Sequence, residues 1–95
     1  MNGERDFVQL ADGHLAQRHV RGDPRAFGVL VDRYQASLQA FITCTIADRE
    51  RAEVLVQEVF IRVFRQLHRF DPTKKFSAWL YTIAANLARP PSANP

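Results

Sequence analysis

Apolar residues recur along this chain at three- and four-residue spacing almost throughout, and Gly and Pro fall at a few points between the periodic stretches. Such a pattern predicts helices joined by short turns. Leu15, Ala16, His19 and Val20 form the i, i+1, i+4, i+5 stripe of a short first helix, with Gly22 as its stop. Asp23 and Pro24 predict the next start, because the carboxylate can accept a free backbone N–H and Pro at the first helical position gives up no hydrogen bond. Phe27, Leu30, Val31, Tyr34, Leu38, Phe41 and Ile42 then share one face of a helix that runs to about Thr45.

Asp48 is the next candidate cap, followed by the stripe Ala52, Leu55, Val56, Val59, Phe60, Val63 and Leu67. Acids come early on this helix (Glu50, Glu53, Glu58) and bases late (Arg62, Arg65, Arg69), which suits the macrodipole and polarises the exposed side. The segment from Arg69 to Lys75, with Asp71 and Pro72, reads as a short basic turn. Ser77 is expected to cap a last helix with Trp79, Leu80, Ile83, Ala84 and Leu87 as its apolar positions, until Pro90 and Pro91 forbid continuation. The expected fold is all-α, a compact antiparallel bundle of four helices over residues 12–89, with a flexible N-terminus at 1–11 and a disordered Pro-rich tail at 90–95.

Composition narrows the function classes. A chain of 95 residues can build one small core and has no room for a substrate domain beside a scaffold. Cys44 is the single cysteine and cannot close an intramolecular disulfide, which fits a reducing, cytoplasmic location. No apolar run approaches the roughly 20 residues that cross a bilayer, so no membrane insertion is expected. His14, His19 and His68 lack metal-ligand spacing, and the glycines at 3, 13, 22 and 28 form neither a P-loop nor a dinucleotide fingerprint. No catalytic residues, metal or cofactor are expected.

Charge changes the picture further. The net charge of +3 is an average over two unlike parts: net −2 from Met1 to Val59 and net +5 from Phe60 to Pro95. Between Phe60 and Tyr81 six of the ten aromatics (Phe60, Phe64, Phe70, Phe76, Trp79, Tyr81) alternate with Arg62, Arg65, Arg69, Lys74 and Lys75. Aromatic faces stack on unpaired bases while Lys and Arg neutralise phosphates, so this mixture is the chemistry of single-strand capture. Packing competes for the same rings: Phe60 belongs to the core stripe, Phe64 borders it, and Phe76 and Trp79 read as partly buried.

Four motifs, in order, carry a family resemblance. The strings Gly22-Asp23-Pro24-Arg25-Ala26-Phe27, Leu30-Val31-Asp32-Arg33-Tyr34, Ala52-Glu53-Val54-Leu55-Val56-Gln57-Glu58-Val59-Phe60, and Phe70 with Phe76-Ser77-Ala78-Trp79-Leu80-Tyr81-Thr82-Ile83-Ala84-Ala85-Asn86 resemble region two of bacterial sigma factors of the extracytoplasmic-function group. The resemblance implies binding to the β′ clamp helices of RNA polymerase and capture of unpaired bases of the promoter minus-ten element. It implies polymerase contacts from Glu53, Gln57 and Glu58, with Arg62 at the edge, and DNA contacts from Arg69, Phe70, Lys74, Lys75, Phe76, Trp79 and Asn86. Asn86 is the base-edge reader of this set, since its amide both donates and accepts.

Two positions depart from the family pattern: Val54 stands where an acid is usual and Ala85 where an Arg is usual, weakening one clamp contact and one phosphate contact. Sigma factors of this group also continue into a helix-turn-helix region four. The Pro-rich end stands where a basic run would follow Asn86, so region four is expected to be absent and the chain to be a fragment or a naturally truncated factor. The alternative expectation is a truncated interaction module, bound by an anti-sigma factor or acting as a polymerase decoy without promoter opening. A generic helix-turn-helix binder ranks below both, because the last helix offers only Thr82 and Asn86 as polar base-readers.

Overall fold

In the computed structural model of the protein, residues 11–89 are described, and the ends expected to be flexible lie outside them apart from Ala11. Four helices follow in order: α1 (Asp12–Val20), α2 (Ala26–Ile46), α3 (Arg49–Gln66) and α4 (Phe76–Leu87), with a 3-10 turn at Leu67–Arg69 between the last two. There is no strand among the described residues. The all-α bundle read from the spacing is the observed fold.

Local chemistry accounts for most boundaries. Helix α1 ends where Gly22 enters the left-handed region at φ 97°. The Gly22 N–H donates to the His19 carbonyl and the Asp23 N–H to the Arg18 carbonyl, both at 2.9 Å, the paired bonds of a Schellman stop. The Asp23 carboxylate accepts the Arg25 N–H at 3.0 Å, as its position before Pro24 implies. Regular helix nevertheless starts only at Ala26, because Pro24 and Arg25 are spent in the turn. Asp48 caps α3 as expected, accepting the Arg51 N–H at 3.1 Å. Helix α2 stops on Ala47, a non-glycine residue at φ 56° whose N–H donates to the Thr43 carbonyl.

The start of α4 corrects one expectation. Lys75, not Ser77, occupies the cap, and it makes no side-chain cap hydrogen bond. The Trp79 N–H already donates to the Lys75 carbonyl, so Ser77 is inside the first turn. Burial of Phe76 at 3 % exposure pulls the helix start earlier than local capping preference would.

The core runs the length of the bundle through Leu15, Leu30, Leu38, Ile42, Val59, Val63, Leu67 and Leu80, each essentially without exposed surface. Burying a side chain of this size stabilises the fold by about 1.5–3 kcal/mol, before chain entropy is set against it. Helix α2 packs against α1, α3 and α4, and α3 packs against α4. Two residues assigned to core stripes, Val20 and Phe41, lie at the surface instead, and so does Phe64, which borders its stripe. Val20 is 52 % exposed, Phe64 55 %, and Phe41 is 37 % exposed with its ring edge-on to Tyr81. Each sits at the edge of its stripe, where the neighbouring helix has ended or turned away. Cys44 is exposed on α2.

Candidate nucleic-acid interface

The turn between α3 and α4 is built by its own side chains. The Asp71 carboxylate accepts the Thr73 N–H at 2.9 Å and the Thr73 hydroxyl at 2.7 Å, and the Lys74 N–H donates to the Asp71 carbonyl at 2.9 Å. This is an Asx-type turn, held by its own hydrogen bonds without burial. The Thr73 hydroxyl and amide hold the Asp71 carboxyl below its ordinary range, helped by nearby Lys74. The turn thus keeps its acid occupied internally, while Arg69, Lys74 and Lys75 stand exposed.

Beneath it lies an aromatic floor. The Phe70 and Phe76 rings meet edge-on at 5.4 Å, Trp79 lies 5.2 Å from Phe70 and 5.9 Å from Phe76, and Tyr34 of α2 lies 5.6 Å from Phe76. Phe70 and Phe76 are buried and Trp79 half-buried. Of the loop aromatics singled out by sequence, Trp79 keeps the most surface to offer a ligand; packing claims nearly all of Phe70 and Phe76, which fix the height of the loop.

Helix α1 pins the loop from the other side. A Cβ on Gly13 would fall 2.8 Å from the Pro72 carbonyl oxygen, so the backbones touch there. Asp12 joins α1 to α2, accepting from Arg33 Nη1 at 2.7 Å and from the Tyr34 hydroxyl. Burial of Tyr34 first, then its hydrogen bond to the Asp12 carboxylate, pushes its phenol up to about 12. Asp12, Tyr34, Phe76 and Phe70 therefore form a continuous chain of contacts from the first helix to the basic loop.

Two clefts flank this assembly. One, of about 250 Å³, lies between α1 and the loop, lined by Gln17, Val20, Arg21, His68, Phe70 and Pro72 among others. The second, of about 270 Å³, lies between α3 and α4 and is lined by Arg62, Gln66, Ile83, Asn86 and Leu87. Here the structure brings Arg62, read as a polymerase residue, beside Asn86, read as a base reader.

The remaining polymerase candidates, Glu53, Gln57 and Glu58, are exposed along α3 and make no ion pair among the described residues. Between them stand Val54, the position where an acid is usual, and two residues that sequence reasoning did not assign to this face, Ile61 and Phe64, at 56, 50 and 55 % exposure. Phe64 extends the patch toward α1 through its edge contact with His19 at 4.9 Å. The available signal was an excess of large apolar residues on α3 outside the core stripe. A helix face of this kind, apolar in the middle with acids around it, suits a helical partner with basic flanks.

Known proteins match this arrangement. The family model for Sigma-70 region 2 matches residues 30–89. The RNA polymerase sigma-H factor of Pseudomonas aeruginosa is 40 % identical over 83 residues, covering 87 % of this chain and 43 % of that protein. The ECF RNA polymerase sigma-E factor of Escherichia coli K12 is 37 % identical over 95 residues, covering 90 % of this chain and 49 % of its own length. The chain thus spans less than half the length of these curated relatives. Among solved structures, an NMR structure of an engineered region 2 of sigmaE in complex with GTAAAA superposes with a TM-score of 0.78 at 39 % identity, covering 93 % of this chain and 86 % of that one.

Proposed function

The chain belongs to the sigma-70 region 2 family, and from that premise we propose that it binds RNA polymerase and captures the promoter minus-ten element as a single strand, acting in the cytoplasm with the enzyme it serves. The observation that carries this reading is the α3–α4 turn: three exposed cations on a self-bonded loop, set over a packed aromatic floor and next to a helix that bears Asn86. A base leaving the duplex loses a few kcal/mol of stacking, and a rigid site recovers more of that than a mobile one. Phosphates meet Arg69, Lys74 and Lys75; Trp79 offers its exposed surface to a base; Asn86 reads an edge. Phe70 and Phe76 act by positioning the loop. The domain makes and breaks no covalent bond, and catalysis belongs to the polymerase.

The partner surface is α3. Glu53, Gln57 and Glu58 surround Val54, Ile61 and Phe64, and this face meets the β′ clamp helices, with Arg62 at the border between the two surfaces. An exposed apolar face of this kind also suits a masking partner, and an anti-sigma factor covering it blocks polymerase without touching the DNA loop.

The test uses fluorescence anisotropy of the 95-residue chain with labelled single-stranded GTAAAA, a scrambled strand of equal composition, and the GTAAAA duplex. Preference for the single strand of defined sequence is expected, with affinity falling as salt rises. Equal binding to all three removes the promoter reading. In parallel, a β′ clamp-helix fragment is titrated, and Glu58→Lys is expected to weaken the complex severalfold; absence of association by the unmodified chain removes the polymerase reading.

A further inference from the structure

We infer that Gln66 is a second base-edge reader, working from the α3 wall of the α3–α4 cleft beside Asn86 on the α4 wall, with Arg62 holding a phosphate at the cleft edge. The inference rests on the single-strand reading above and extends it to residues outside the loop and α4.

The cleft has the composition of a site for one planar heterocycle. Its volume, about 270 Å³, lies just below the roughly 300 Å³ at which pockets for drug-sized ligands begin. Ile83 and Leu87, both half-buried, supply apolar surface for a ring face. Gln66 and Asn86 supply two carboxamides from different helices, each with donor and acceptor atoms. Neutral amides discriminate bases by hydrogen-bond pattern, which a charge does not.

These polar atoms are available. Gln66 is half-buried and has no hydrogen-bond partner among the described residues. The one described bond to the Asn86 side chain is a long one, from Arg89 Nη2 at 3.4 Å to Oδ1, which leaves the amide N–H groups free. Arg62 makes no ion pair among the described residues, although Glu58 stands one helical turn before it. It is the single cation lining the cleft, and no acid lines it. Helix α4 carries no charged residue between Phe76 and Leu87, so of the two helix walls only α3 brings a cation into the cleft lining, with Arg89 beside Asn86 just beyond α4.

The experiment selects from a pool of single-stranded DNA octamers randomised at their central positions, using the 95-residue chain and its Gln66→Ala, Asn86→Ala and Arg62→Ala variants, each checked for fold by circular dichroism. The unmodified chain is expected to enrich one motif. Gln66→Ala flattens the preference at one position by about fivefold or more, at a different position from Asn86→Ala, and leaves clamp-fragment binding unchanged. Arg62→Ala weakens all sequences alike and lowers the slope of log affinity against log salt by about 0.7. A Gln66→Ala variant that enriches the same motif with the same strength overturns the inference, as does an Arg62→Ala variant with unchanged salt slope. If the unmodified chain enriches no motif, the single-strand reading fails and this inference falls with it.

Discussion

Tyr34 concentrates several roles in one side chain. Its hydroxyl donates to Asp12 of α1, while its ring packs on Phe76 at the head of α4. The phenol titrates near 12 in the fold against 10.0 ordinarily. A raised value means that the folded state holds the proton longer than the unfolded state does. The contribution of this group is therefore complete below about pH 10 and is lost as pH rises toward about 12. Urea unfolding at about pH 9 and about pH 11 should show a larger loss of stability in the unmodified chain than in Tyr34→Phe, which removes the titrating group. Equal losses would show that burial and the bond to Asp12 do not hold the phenol protonated in the fold. Phe70 and Phe76 teach a related lesson. Both were legible as important, since they punctuate the basic segment, but their chemistry was not: whether a ring packs or stacks depends on which helix lies beneath it.

At the scale of elements, two glycines with the same helical propensity deficit should respond in opposite ways. Ala is favoured over Gly inside a helix by about 0.8–1.0 kcal/mol. A Cβ on Gly28 of α2 meets nothing within 4 Å, so Gly28→Ala should stabilise by about that amount. On Gly13 of α1 the Cβ would lie 2.8 Å from the Pro72 carbonyl oxygen, and overpacking against backbone costs about 1–3 kcal/mol. Gly13→Ala should therefore lower the melting temperature and, by shifting the loop, weaken single-strand binding. Thermal melts of both variants with GTAAAA anisotropy check the pair. Ala47→Gly should raise the melting temperature by about 2–8 °C, since relief of about 1–2 kcal/mol of left-handed strain outweighs the roughly 0.5–1 kcal/mol of entropy added to the unfolded chain. Boundaries set by local side-chain chemistry were readable: Gly22 stops α1, Asp48 caps α3, and Asp71 with Pro72 makes the loop. Ala47 and the start of α4 were not, because an alanine announces no left-handed turn and Phe76 is drawn into the helix by its burial.

Across the whole molecule, the division between an acidic first part and a basic last part becomes a division of faces. Acids and exposed apolar residues lie on α3, and cations cluster on the loop that follows it. If Arg69, Lys74 and Lys75 each neutralise one phosphate, replacing all three by Ala should lower the slope of log affinity against log salt by about 2. The measurement is GTAAAA anisotropy over a range of salt concentrations; an unchanged slope would move the phosphate path elsewhere. The sequence alone determined the helices, most of their stops, the charge division and the family motifs, because helical periodicity, capping and turn formation are contests among residues a few positions apart. Tertiary structure decided which apolar residues are covered and which polar ones meet. Phe70 and Phe76 are buried while Val54, Ile61 and Phe64 are not, and Gln66 shares a cleft with Asn86. Those outcomes follow from how α3 and α4 are rotated and placed against each other, and packing of the whole core sets that geometry.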